Sequence, residues 1–150
     1  MYAISIEQAE ELVQKFETGT LPKIEWTHEA HLIAGLKMFL TYKEKAFPEM
    51  KKRIIYFNES VGTINSESSG YHETLTVFWL WAIKQFCELK NITQFDVDAI
   101  DELIFYEPLS RRTLVEEYYS EAILLLPEAR RRFIRPDEQP MVGVDYFLNY

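Results

Sequence analysis

A single cysteine, Cys87, in 150 residues rules out an intrachain disulfide, so the chain needs no oxidising compartment. Its neighbours Ile83, Phe86 and Leu89 read as core, which makes Cys87 a filler rather than a reactive thiol. Five glycines and six prolines are few turn-formers, and they argue against many short strands. Long apolar runs are missing too. The longest, LTVFWLWAI at 75–83, falls far short of the ~20 residues a membrane span requires. The N-terminal MYAISIEQAEEL has neither the basic nor the apolar stretch of a signal peptide, so the expected location is the cytoplasm. Basic charge is scarce: 16 Lys and Arg face 24 Asp and Glu, a net charge of -8 that repels nucleic acid and anionic membranes. The arginines of EARRRFIRPD, 128–137, are hemmed by Glu128, Asp137 and Glu138, so neither a nucleic acid nor a membrane is an expected partner. A glycine-rich phosphate loop and a nucleophile elbow are both absent, and serine or cysteine nucleophilic catalysis has no support.

What the chain does have is 47% hydrophobic and 15% aromatic residues in a single-domain length, enough to bury roughly two-thirds of its unfolded surface. The periodicity predicts an all-α, up-and-down bundle of about six helices with an extended C-terminal tail. Ser5 and Gln8 fit a capping box for a helix over 6–18, stopped by Gly19. Thr27 suits the N-cap of a second helix to about Lys45, and Pro48 the start of a third over 49–61. GTINSESSG, 62–70, reads as a loop before a fourth helix over 71–90, apolar nearly all round and hence central. Thr93 or Asp96 can cap a fifth helix to about Tyr106, and Ser110 a sixth over 111–120. One more short helix is expected at 127–133, and Phe147 and Tyr150 would let the tail dock on the bundle or on a partner.

All three histidines lie in two helix beginnings, EWTHEAHLIAGL (25–36) and GYHETLTVFWLW (70–81). In an up-and-down bundle helices 2, 4 and 6 begin at one end, which gathers His28, His31, Tyr71, His72, Arg111 and Arg112. On a helical wheel His28 and His72 face inward, His31 sits at the edge of its stripe, and Glu73 points away. Thr76, one turn below His72, is placed to hydrogen-bond it and set its tautomer.

This convergence permits three readings. His28, His31 and His72 are a sufficient ligand set for a divalent metal such as zinc, iron or manganese, with an open position for water. Alternatively, unpaired backbone N–H groups with Arg111 and Arg112 hold a small anionic ligand, contacted also by Tyr71, Thr76 and Glu73. His28 and His72 would then serve as neutral acid–base groups, possible machinery for hydrolysis or proton transfer. In the third reading each histidine simply bonds a loop carbonyl or caps a neighbour, with Thr27 and Ser69 as ordinary N-caps. Arg111 and Arg112 equally suit surface pairing with Glu107 or Glu116. A rival of another class is a non-catalytic interaction module, a homodimer using the aromatic surplus on helix 4 or the C-terminal segment.

Taken together, WTHEAHLIAGL, GYHETLTVFWLW and LLLPEARRRFIRPDEQP resemble a family of small bacterial all-helical proteins. Its members carry an aromatic or apolar residue before His-x-x-His-Leu, a Tyr-His-Glu-Thr-x-Thr element, and a late Pro-Glu-Ala-Arg followed by Pro-Asp. The resemblance runs from Ile24 to Pro140 and covers His28, His31, Tyr71, His72, Glu73, Thr74, Thr76, Glu128, Ala129, Arg130, Pro136 and Asp137. It departs where Glu138 follows Asp137 in place of the usual apolar residue. It implies that the two histidine segments belong together, and it brings no reaction with it.

Overall fold

The computed structural model describes residues 2–148, and Tyr150 lies outside them. Among the described residues the chain is all-α: eight helices and several 3-10 turns, with no strand. α1 (Ile6–Thr18) opens on the capping box, in which Gln8 N donates to Ser5 Oγ (3.1 Å) and Ser5 N to Gln8 Oε1 (2.9 Å). α2 (His28–Tyr42) starts at Thr27, whose hydroxyl accepts from Ala30 N. The helix stops three residues short of the expected Lys45, because Lys43 takes a positive φ of 54° and the chain tightens into a 3-10 turn, Lys43–Lys45. α3 (Ala46–Ser60) therefore begins earlier than expected, with Pro48 inside its first turn, where a missing N–H costs nothing.

α4 (Glu73–Lys90) is the central element, packed against α2 and α3. Val77, Phe78, Leu80, Trp81, Ile83 and Phe86 are all buried, the outcome required of a helix apolar on two faces. Gly35 makes the close approach of α2 possible: a Cβ there would sit 2.6 Å from Ile83 Cδ1. Cys87 is core as expected, and burial pushes its thiol up to about 12.

After α5 (Val97–Phe105), capped by Asp96, the chain departs from the expected sixth helix over 111–120. Instead come a single turn, α6 (Glu107–Ser110), a 3-10 stretch (Arg112–Glu117), and two short helices, α7 (Glu121–Leu124) and α8 (Pro127–Arg131). Ser110 ends α6 rather than capping a new helix, because its hydroxyl turns back to donate to the Glu107 carbonyl. With no cap, the following N–H groups are accommodated by the tighter 3-10 geometry. The tail docks: Trp81 Nε1 donates to the Val142 carbonyl (2.8 Å), and Phe147 is fully buried beside Phe39. No helix among the described residues is long and apolar enough to cross a membrane.

One hydroxyl ties this C-terminal segment to α4. Thr74, fully buried, donates to the Ala129 carbonyl (2.7 Å), with Arg132 O at 3.0 Å, and accepts from Ile134 N (3.1 Å). Thr74→Val keeps the shape and orphans a buried N–H and a carbonyl, so it is expected to cost about 1–3 kcal/mol in urea unfolding. Amide exchange should accelerate first in residues 129–148, the segment that the hydroxyl holds.

Candidate functional site

The starts of α2 and α4 do meet. Between α2, α3 and α4 lies a cavity of about 500 Å³ whose wall includes all three histidines. Its floor is apolar, formed by residues such as Leu32, Gly35, Met50, Ile54, Leu80 and Ile83. Trp26 and Trp79 wall the histidine side, the first tilted over the His31 ring at 3.8 Å and the second edge-on to His28 at 4.9 Å. Trp26 is itself fixed by stacking on Phe16 at 4.3 Å.

Each imidazole is anchored by a backbone carbonyl. His28 Nε2 lies 2.8 Å from Leu109 O, His31 Nδ1 2.9 Å from Thr27 O, and His72 Nε2 3.0 Å from Leu124 O. A carbonyl only accepts, so each of those nitrogens carries the proton. His72 goes further: its Nδ1 accepts from Leu75 N (3.2 Å), making the ring the N-cap of α4. An imidazolium has no lone pair with which to do this, so His72 is neutral and both its nitrogens are committed. Burial lowers the His72 pKa, as does the nearby Arg130, against the opposing Leu124 bond. Burial also takes His31 down to about 4, helped by His28 and Arg112 and opposed by the Thr27 bond.

Several expectations need correction. The three histidines do not form a metal-ligand set: among the described residues no three His, Cys, Asp or Glu side chains are grouped to hold an ion. The reason is the carbonyl anchoring, which consumes both nitrogens of His72 and one each of His28 and His31. Thr76 does not set the His72 tautomer, since its hydroxyl donates to the His72 main-chain carbonyl (2.8 Å) while the ring is oriented by Leu124 and Leu75. Ser69 is not the cap of α4, which begins two residues later than expected.

Of the other candidates, Tyr71, Thr76 and Arg112 line the cavity, whereas Glu73 and Arg111 are not part of its wall. Glu73 pairs with Lys51 (2.7 Å) and accepts from Tyr71 Oη (3.2 Å). Arg111 pairs with Glu107 (2.6 Å), one of the two expected partners, and also with Glu117 (3.0 Å).

Sequence reasoning missed three contributors. α3 supplies Met50, Ile54 and Asn58, and the loop before α2 supplies Lys23. Asn65 pins the 62–70 loop beside the cavity, its Oδ1 accepting from Asn58 Nδ2 and from Tyr71 N, each at 2.9 Å. That loop passes so close to Gly70 (φ 77°) that a Cβ there would meet Asn65 Oδ1 and Ile64 O at 2.5 Å. The only legible signal for the loop was its Gly and Asn content, which says turn and not site.

Charge is distributed unevenly. No aspartate or glutamate lines this cavity, in a chain that carries 24. Lys23 and Arg112 stand at its rim with no ion pair to either among the described residues. A second cavity, of about 430 Å³, beside the start of α2 is the opposite, lined by Glu11, Glu25 and Glu29 with Lys15. No family model matches the chain, and comparison with curated proteins and with solved structures finds no match.

The lowered pKa values fix a sign. His31 and His72 bind protons less readily folded than unfolded, so their contribution to stability is complete above about pH 6.5 and is lost as pH falls toward the folded value. Above about pH 5 the carboxylates stay ionised, which isolates the imidazoles. Urea midpoints should therefore fall between pH 7.5 and 5, and His72→Asn, whose amide can cap but not titrate, should flatten that slope.

Proposed function

We propose that this chain is a cytoplasmic protein that binds a small anionic ligand with an apolar body in the cavity between α2, α3 and α4. The observation that carries the reading is the charge pattern: a chain of net charge -8 lines this cavity with three histidines, no carboxylate and two cations that have no ion pair among the described residues, over an apolar floor. A volume of about 500 Å³ suits a ligand of metabolite size. Arg112 and Lys23 would meet the anionic group at the rim, where their attraction is strengthened by partial exclusion of water. The apolar part would lie on the floor beside Gly35 and Ile83.

Binding is favoured over proton-transfer chemistry at His31. A general base works best with a pKa near the operating pH, and at about 4 His31 is a weak base at neutrality while remaining a good hydrogen-bond acceptor. The homodimer reading has less support, because the aromatic surplus is engaged inside the chain. Phe16, Trp26 and Phe57 pack together, and so do Phe78, Trp81, Tyr118 and Tyr119.

The test uses 3-phenylpropionate and octanoate, followed by tryptophan fluorescence and amide chemical shifts. Saturable binding should perturb His28, His31 and Trp79, and Arg112→Glu should weaken it by about tenfold. Arg135→Glu, outside the cavity, should leave it unchanged. Absence of any shift at those residues at several millimolar carboxylate would sink the reading.

A further inference from the structure

The rim of the cavity offers more than positive charge. His28 uses Nε2–H on Leu109 O, so in its neutral ring Nδ1 holds an unshared pair. His31 uses Nδ1–H on Thr27 O, so its Nε2 holds one, and the low pKa keeps that pair free throughout the neutral range. Among the described residues no donor reaches either free nitrogen. His72, with both nitrogens committed, contributes none. The cavity wall thus carries two cationic donors, Lys23 and Arg112, and two imidazole acceptors from adjacent positions on one helix face.

A plain carboxylate answers only half of that wall. It pairs with the cations and sets its own oxygens against nitrogens that also lack a proton. A ligand with an O–H or N–H group close to its anionic group answers both halves. His28 Nε2 bonds Leu109 O at 2.8 Å, three residues before Arg112, so the donor belongs near the anionic end and not at the apolar one.

Building on the amphipathic-anion reading of this cavity, we infer that its ligand is a hydroxy acid with an apolar aryl or alkyl body. Its carboxylate would be held by Arg112 and Lys23 and its hydroxyl would donate its one proton to the free ring nitrogen of His31. Selection arises because an acceptor that the ligand covers and leaves without a donor disfavours the deoxy analogue, and a hydrogen-bonding site discriminates against a missing hydroxyl more strongly than an apolar pocket discriminates against a missing methylene.

The experiment compares three probes on the full chain by calorimetry: 3-phenyllactate (both enantiomers), 3-phenylpropionate, and 2-methoxy-3-phenylpropionate, which keeps the oxygen and removes its proton. The expected result is that one enantiomer of phenyllactate binds about five- to tenfold tighter than either other probe. His31→Phe, which retains a ring beneath Trp26, should shrink that preference. Equal affinities for phenyllactate and phenylpropionate would overturn this inference and leave the anion site standing. No binding of any of the three at several millimolar would overturn both.

Discussion

The first turn of α4 must satisfy its unpaired N–H groups in a place where little water reaches, and the rest of the structure is arranged around that requirement. Most helices meet it with a serine, threonine, aspartate or asparagine. Here an imidazole does so, and it holds a carbonyl of α7 on its other edge. Two further bonds act alongside it: Thr74 holds the end of α8, and Arg130 Nη1 donates to Gly70 O (2.8 Å). The late chain is thereby clamped onto the start of the central helix. A residue that caps with a lone pair is restricted to one charge state, so the fold itself demands a neutral His72.

That restriction shapes the cavity. Carbonyl anchors set the tautomer of all three histidines, so the wall keeps a defined pattern of donors and acceptors instead of a set of interchangeable rings. Exclusion of carboxylates from the same wall leaves Lys23 and Arg112 as its local field. Metal coordination and anion binding were both compatible with a His-x-x-His spacing; the hydrogen-bond partners, which spacing does not encode, leave His72 no nitrogen to offer a metal.

The helices and their convergence were readable because they rest on local rules. The Ser5–Gln8 box, the Thr27 and Asp96 caps and the two-sided apolar pattern of α4 each follow from side chains near one another in sequence. Short connections then place the starts of α2 and α4 together, which is why the three histidines could be assigned to one end of the bundle. What stayed illegible depends on main-chain atoms remote in sequence. Leu109 and Leu124 act through carbonyls that any residue would supply, 81 and 52 positions from the histidines they fix. The missing sixth helix has a similar origin, since Ser110 can cap forward or bond backward and residue type does not decide which.

The protonation pattern of the three rings is the most direct test of this account. Long-range proton–nitrogen correlation of the imidazoles at pH 7 reports which nitrogen bears the hydrogen. The expected result is a neutral ring at His31 and at His72 in fixed tautomers, with the proton on Nδ1 of His31 and on Nε2 of His72, and a proton on Nε2 of His28. A charged His72, a proton on its Nδ1, or rapid averaging between tautomers at His31 would contradict it.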